Sequence, residues 1–139
     1  MSTQKRFSNF DEWLQALPEF IRKSLLMEFK AYPKALFLYD LVWFDCEILM
    51  KDARGKALTT QLIHSADSIG ANIEEGYGRG FGPDYARFLI IALGSARETQ
   101  GRYVRARHHE STTTSESQSQ KERNEVKRKS QFAIRKLQI

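Results

Sequence analysis

Cysteine is almost missing from this chain: of 139 residues only Cys46 is one, so no intramolecular disulfide can staple the fold. It sits in a helix-patterned run between Asp45 and Glu47, with no histidine near it in sequence. It therefore reads as a buried thiol in a reducing compartment rather than as a nucleophile. Proline is scarce too, with three, at 18, 33 and 83. Pro18 is expected to interrupt or restart a helix, and Pro33 and Pro83 to lie in first turns, where a missing N–H costs nothing. No long uninterrupted hydrophobic run occurs. The longest, Ala35 to Met50, is broken by Asp40, Asp45 and Glu47, and the N-terminus MSTQKRFSNFDEW has no apolar core ahead of a small-residue cleavage site. Neither a membrane span nor a secretory signal is expected, which points to the cytoplasm.

Catalytic and metal-binding patterns are also wanting. A di-metal helical bundle would carry Glu-x-x-His on two helices, and zinc would want three or four ligands; the chain has no Glu-x-x-His, and Cys46 has no cysteine partner. The best candidates, His64 with Asp67 and the run His108, His109, Glu110, do not assemble a site. Gly76, Gly78, Gly80 and Gly82 alternate with Tyr77, Arg79 and Phe81, but phosphate-cradling loops follow a strand with GxGxxG or GKS/T spacing, and neither condition is met. The glycines read as a turn that needs positive φ. The expectation is a protein with no enzyme activity, no cofactor and no metal.

What is present is material for one all-α domain: 41% hydrophobic and 12% aromatic residues are enough for a core at this length. Leu58, Leu62, Ala66, Ile69, Ile73 and Tyr77 recur at helical spacing, as do Tyr85, Phe88, Leu89, Ala92, Ala96, Thr99 and Tyr103. Two such stripes joined by a short glycine-rich turn predict an antiparallel helical hairpin within an up-and-down bundle. Asn9 and Glu12 resemble a capping box, opening short N-terminal helices over 1–34 that pack across the bundle as a lid. The bundle core is expected over 35–108. Its first long helix spans Ala35 to Arg54 and is closed by Gly55 as a C-cap, its second runs from about Ala57 to Tyr77, and its third ends near His108. Residues 109–120 read as a polar flexible linker and 121–139 as a basic tail.

A net charge of +5 invites a nucleic-acid reading, so its location matters. Seven basic and two acidic residues fall within 121–139, leaving fifteen of each sign in 1–120. The whole excess belongs to the tail. Candidates for nucleic-acid contact are Arg97, Arg102, Arg105 and Arg107 at the end of the third helix, and Lys127, Arg128 and Lys129 in the tail. The arginines equally suit a helix C-terminus, where positive charge is favoured.

The run QLIHSADSIGANIEEGYGRG followed by DYARFLIIALGSARET closely resembles the proteins of the 23S rRNA intervening-sequence family, sometimes labelled S23 ribosomal proteins. Gln61, Ser68, Ile69, Asn72, Ile73, Glu75, Gly76 and Arg79 carry the first half of the match, and Arg87, Phe88, Leu89, Ala92, Gly94, Ser95 and Glu98 the second. The similarity reaches back through ALFLYDLVWFDCEILM and forward to about Arg107. It implies a four-helix bundle, commonly a ring-like homopentamer, without established catalysis. Relatives include the accessory protein of diversity-generating retroelements, which looks like a basic scaffold for a reverse transcriptase and nucleic acid. Beyond Arg107 the chain departs from the family pattern, so the fourth helix is expected to be degenerate or replaced.

On a helical wheel Gln61, Ser68, Asn72 and Glu75 fall within about 60° of one another beside the apolar face. Arg87, Gly94 and Glu98 form a matching stripe, with Ser95 nearer the core. The predicted register sets Glu75 opposite Arg87, as an ion pair worth about 0.2–1 kcal/mol, and Ser68 opposite Gly94 and Ser95, whose small size lets the backbones approach. These residues read as a polar seam between helices rather than a catalytic site. Ile90, Ile91 and Leu93 make 88–93 apolar nearly all round, which favours a subunit interface or cover by the N-terminal helices. The function expected is that of a non-catalytic bundle acting by self-assembly and partner binding, in contact with RNA or DNA, the alternative being a pure protein-interaction scaffold.

Overall fold

In the computed structural model the structure describes residues 6–108, and every regular element among them is helical. Helix α1 (Phe10–Ala16) starts where the Asn9 side chain accepts the Glu12 backbone N–H at 2.8 Å, while the Glu12 carboxylate reaches back to the Ser8 N–H at 3.1 Å. This is a capping box whose return bond lands one residue early. Pro18 separates α1 from the single turn α2 (Glu19–Arg22), and a 3-10 turn (Leu25–Glu28) leads into α3 (Ala31–Leu49). Two longer helices follow, α4 (Ala53–Tyr77) and α5 (Pro83–Ala106).

The first long helix begins four residues before Ala35 and ends five before Arg54. Pro33 fits its third position, where no intrahelical N–H bond is lost. The early end comes from Asp52. Its carboxylate accepts the N–H groups of Arg54 and Gly55 at 2.8 and 3.2 Å, which makes it the N-cap of α4 and pulls 53–56 into that helix. Gly55 is therefore not a C-cap. It lies in the first turn of α4, pressed so closely on the last turn of α3 that a Cβ there would stand 2.2 Å from the Leu49 carbonyl oxygen. The boundary expected at 34/35 likewise falls inside α3.

The three long helices run antiparallel in sequence order, α4 packing on both α3 and α5. Leu38, Val42, Leu62, Ala66, Ile69, Ile73, Ala92, Ala96 and Tyr103 form the main core. At about 1.5–3 kcal/mol per fully buried large apolar side chain, this face supplies most of the drive to associate. A second cluster joins Trp13 to Phe37 and Leu41, with Phe10 stacked on Trp13 at 5.7 Å, so the N-terminal helices cover the flank of α3. Of the expected turn glycines, only Gly80 adopts positive φ, at 80°. The linker, the basic tail and any fourth helix lie outside the described residues.

Candidate functional site

The interface of α4 with α5 carries a ladder of small hydroxyl residues. Ser95 Oγ lies 3.1 Å from Ser68 Oγ, and one turn away the fully buried Thr99 Oγ1 lies 3.0 Å from Ser65 Oγ and 2.8 Å from its own Ser95 carbonyl. Asn72 Nδ2 donates to the Ser68 carbonyl at 2.7 Å and to Ser68 Oγ at 3.0 Å. The register lies within two positions of the one expected. Ser65 and Thr99, the buried rungs, had no place in the expected seam. Serine at 65 gives little signal in sequence, and Thr99 passes for an apolar stripe member.

The charged members sit elsewhere. Glu75 Oε1 accepts from its helical neighbour Arg79 at 2.7 Å, not from Arg87, because an i,i+4 partner needs no crossing of the interface. Arg87 lies on the exposed side of α5 with its guanidinium 5.5 Å from the Phe88 ring centroid. Glu98 pairs within its own helix with Arg102 at 3.1 Å, and Gln61 is exposed. Gly94 has nothing within 4 Å of a built Cβ, so it is not the point of close approach. That role falls to Gly76, whose Cβ would stand 2.8 Å from Phe88 Cβ.

Three acidic groups tie the elements together. Asp45 accepts from Tyr103 Oη at 2.6 Å and from Arg6 at 2.8 Å, joining the N-terminal segment, α3 and α5. Burial raises its carboxyl above the ordinary value, against the opposing pull of Tyr103 and Arg6. Asp40 accepts the Trp13 indole N–H at 2.6 Å and is likewise raised by burial. Tyr32 donates to Glu74 across α3 and α4 at 2.7 Å, and burial followed by that carboxylate pushes its phenol upward. Cys46 is buried, and burial together with Asp45 pushes its thiol up to about 12. The clue in sequence was the presence of carboxylates inside an apolar run.

No group of three or more His, Cys, Asp or Glu among the described residues is placed to hold a metal, and no helix among them is long and apolar enough to cross a membrane. His64 is exposed. Of the arginines at the end of α5, Arg97, Arg105 and Arg107 are exposed, whereas Arg102 is drawn to Glu98; Lys127, Arg128 and Lys129 lie outside the described residues. Arg105 and Arg54 rim a largely apolar cavity of about 230 Å³ floored by Leu49, Leu58 and Ala106. Large apolar side chains are exposed at Phe20, Leu25, Trp43, Met50 and Phe81, and on α5 at Ile90, Ile91 and Val104, of which Ile90 is 69% and Val104 47% exposed.

The chain is thus an all-α bundle protein whose buried hydroxyl residues hydrogen-bond one another between α4 and α5. It belongs to the 23S rRNA-intervening sequence protein family, whose model matches residues 27–132. The match continues past Arg107, through the linker and most of the tail. No curated protein and no solved structure gives a significant match.

Proposed function

We propose that this chain acts without catalysis, assembling with copies of itself and binding a partner, with RNA or DNA as the partner class. The observation that carries the reading is the aliphatic surface that α5 leaves exposed at Ile90, Ile91 and Val104. Exposed isoleucines on a helix that already buries another face mark a contact surface. The seam supports the same reading from the other side, since its hydroxyls and Asn72 are engaged inside the bundle. A ring of identical subunits, as the family resemblance implies, would bury this surface.

Light scattering of the full chain tests the assembly. An oligomer that Ile90→Glu converts to a folded monomer is the expected result, and a wild-type monomer with a cooperative melt overturns it. The nucleic-acid part is tested by a salt series on the full chain and on a variant with Lys127, Arg128 and Lys129 changed to glutamine. If all three contact phosphates, the slope of log K against log salt for a single strand should flatten by about two. An unchanged slope removes the tail from the interface, and no binding by either protein leaves the pure protein scaffold.

A further inference from the structure

The tip of the α4–α5 hairpin has a surface chemistry unlike the rest of the molecule. The Phe81 ring is 79% exposed although it makes edge-to-face contacts with Tyr77 at 5.8 Å and Tyr85 at 5.3 Å between centroids. Those contacts hold the ring in place and leave most of it in water. Gly80 and Gly82 on either side have nothing near a built Cβ, and the positive φ of Gly80 turns the chain so that Phe81 stands out from the bundle. Beside this group the guanidinium groups of Arg79 and Arg87 lie 5.3 and 5.5 Å from the Phe88 ring centroid. Between Tyr77 and Arg87 the only aliphatic side chains are the small ones of Pro83 and Ala86, in contrast to the isoleucines and valine exposed further along α5.

From this arrangement we infer that the hairpin tip is a stacking platform for unpaired bases of a single-stranded nucleic acid, with Phe81 as the central ring. Exposed aromatic rings and guanidinium planes are the surfaces on which splayed bases stack, and such sites tolerate any base because each has a π-face. The local charge sets the mode of binding. Glu75 and Asp84 balance Arg79 and Arg87 at the tip, and Arg79 is already paired with Glu75, so the tip offers a phosphate backbone no net positive charge. Contact with bases rather than phosphates predicts a contribution that salt barely weakens, unlike that of a basic tail. A duplex, with its bases stacked inside, presents nothing for the platform to take. The inference deepens the nucleic-acid reading above and rests on it.

Fluorescence anisotropy of the full chain tests it, with labelled single-stranded adenosine RNA, the corresponding DNA, and a duplex as probes. Phe81→Ala should weaken single-strand binding about 5- to 150-fold, as expected for loss of one stacked base, with the salt slope unchanged. Phe81→Tyr should restore it, and duplex binding should not respond. The RNA and DNA arms show whether the 2′-hydroxyl matters. Full-chain binding that Phe81→Ala and Tyr85→Ala leave intact overturns the platform and assigns the nucleic acid to another surface. Absence of binding by the wild-type chain removes the nucleic-acid reading itself. A change in oligomeric state on Phe81→Ala, with affinity unaltered, identifies the tip as a subunit contact and overturns the platform. Phe81 is exposed, and an unchanged melting temperature confirms that the variant folds.

Discussion

Replacing Gly55 with alanine should destabilise the bundle, although in most helical positions that change stabilises. In a helix interior alanine gains about 0.8–1.0 kcal/mol over glycine, and less in a first turn such as this one. Against that gain stands the Leu49 carbonyl oxygen, 2.2 Å from where the new Cβ would lie. The neighbour is backbone at the end of α3, fixed by the three-residue connection to α4, so it cannot swing aside as a long side chain would. Overpacking of this kind costs about 1–3 kcal/mol, leaving a net loss of about 0.5–2.5 kcal/mol for a first-turn gain of about half a kcal/mol. For a chain of this size that corresponds to a fall of roughly 3–10 °C in Tm by far-UV circular dichroism. Gly70 and Gly94 supply the control. A Cβ at Gly70 would meet only side-chain atoms at 3.7 and 4.0 Å, and one at Gly94 would meet nothing within 4 Å. Their alanine variants should melt at or above wild type, by up to about 1 kcal/mol. A Gly55→Ala protein melting as high as those two would refute the tight corner between α3 and α4.

Asp45 separates charge from hydrogen bonding. Asp45→Ala takes the acceptor from Tyr103 and Arg6 and should cost about 1–3 kcal/mol, whereas Asp45→Asn keeps an acceptor and removes a buried charge. Because burial holds this carboxyl above its ordinary 3.8, the folded protein retains a proton that the unfolded chain has lost just above that pH. Wild type should therefore lose stability relative to Asp45→Asn as pH rises from about 3 to neutrality, and urea melts showing a pH-independent difference would contradict this. Thr99→Val is isosteric and leaves Ser65 Oγ its bond to the Leu62 carbonyl at 3.1 Å, so a loss of about 0.5–1.5 kcal/mol is expected. A double-mutant cycle with Ser65→Ala should show coupling, and strict additivity would deny the contact. The Cys46 thiol, pushed up to about 12 and buried, should react with Ellman's reagent only when the chain unfolds; rapid labelling of native protein would count against its burial.

Sequence by itself determined the helical class, the α4–α5 hairpin and the family. Apolar residues at helical spacing report the buried face of a helix whatever its neighbours are, and a glycine-rich turn between two such faces leaves little choice of topology. Ser68, Asn72 and Ser95 were legible for the same reason, as polar residues beside the stripe. Tertiary structure alone decided the partners. Glu75 takes Arg79 because the nearer cation lies one turn along its own helix, and Gly76, not Gly94, meets the opposite helix because of how the two stripes face. Gly55 looks like a C-cap in sequence, yet it is the point where two helix ends touch. Asp40 and Asp45 interrupt an apolar run for a reason seen only once Trp13, Arg6 and Tyr103 are folded against them. Helical periodicity is local, whereas the pairing of a carboxylate or the crowding of a Cβ depends on residues tens of positions away.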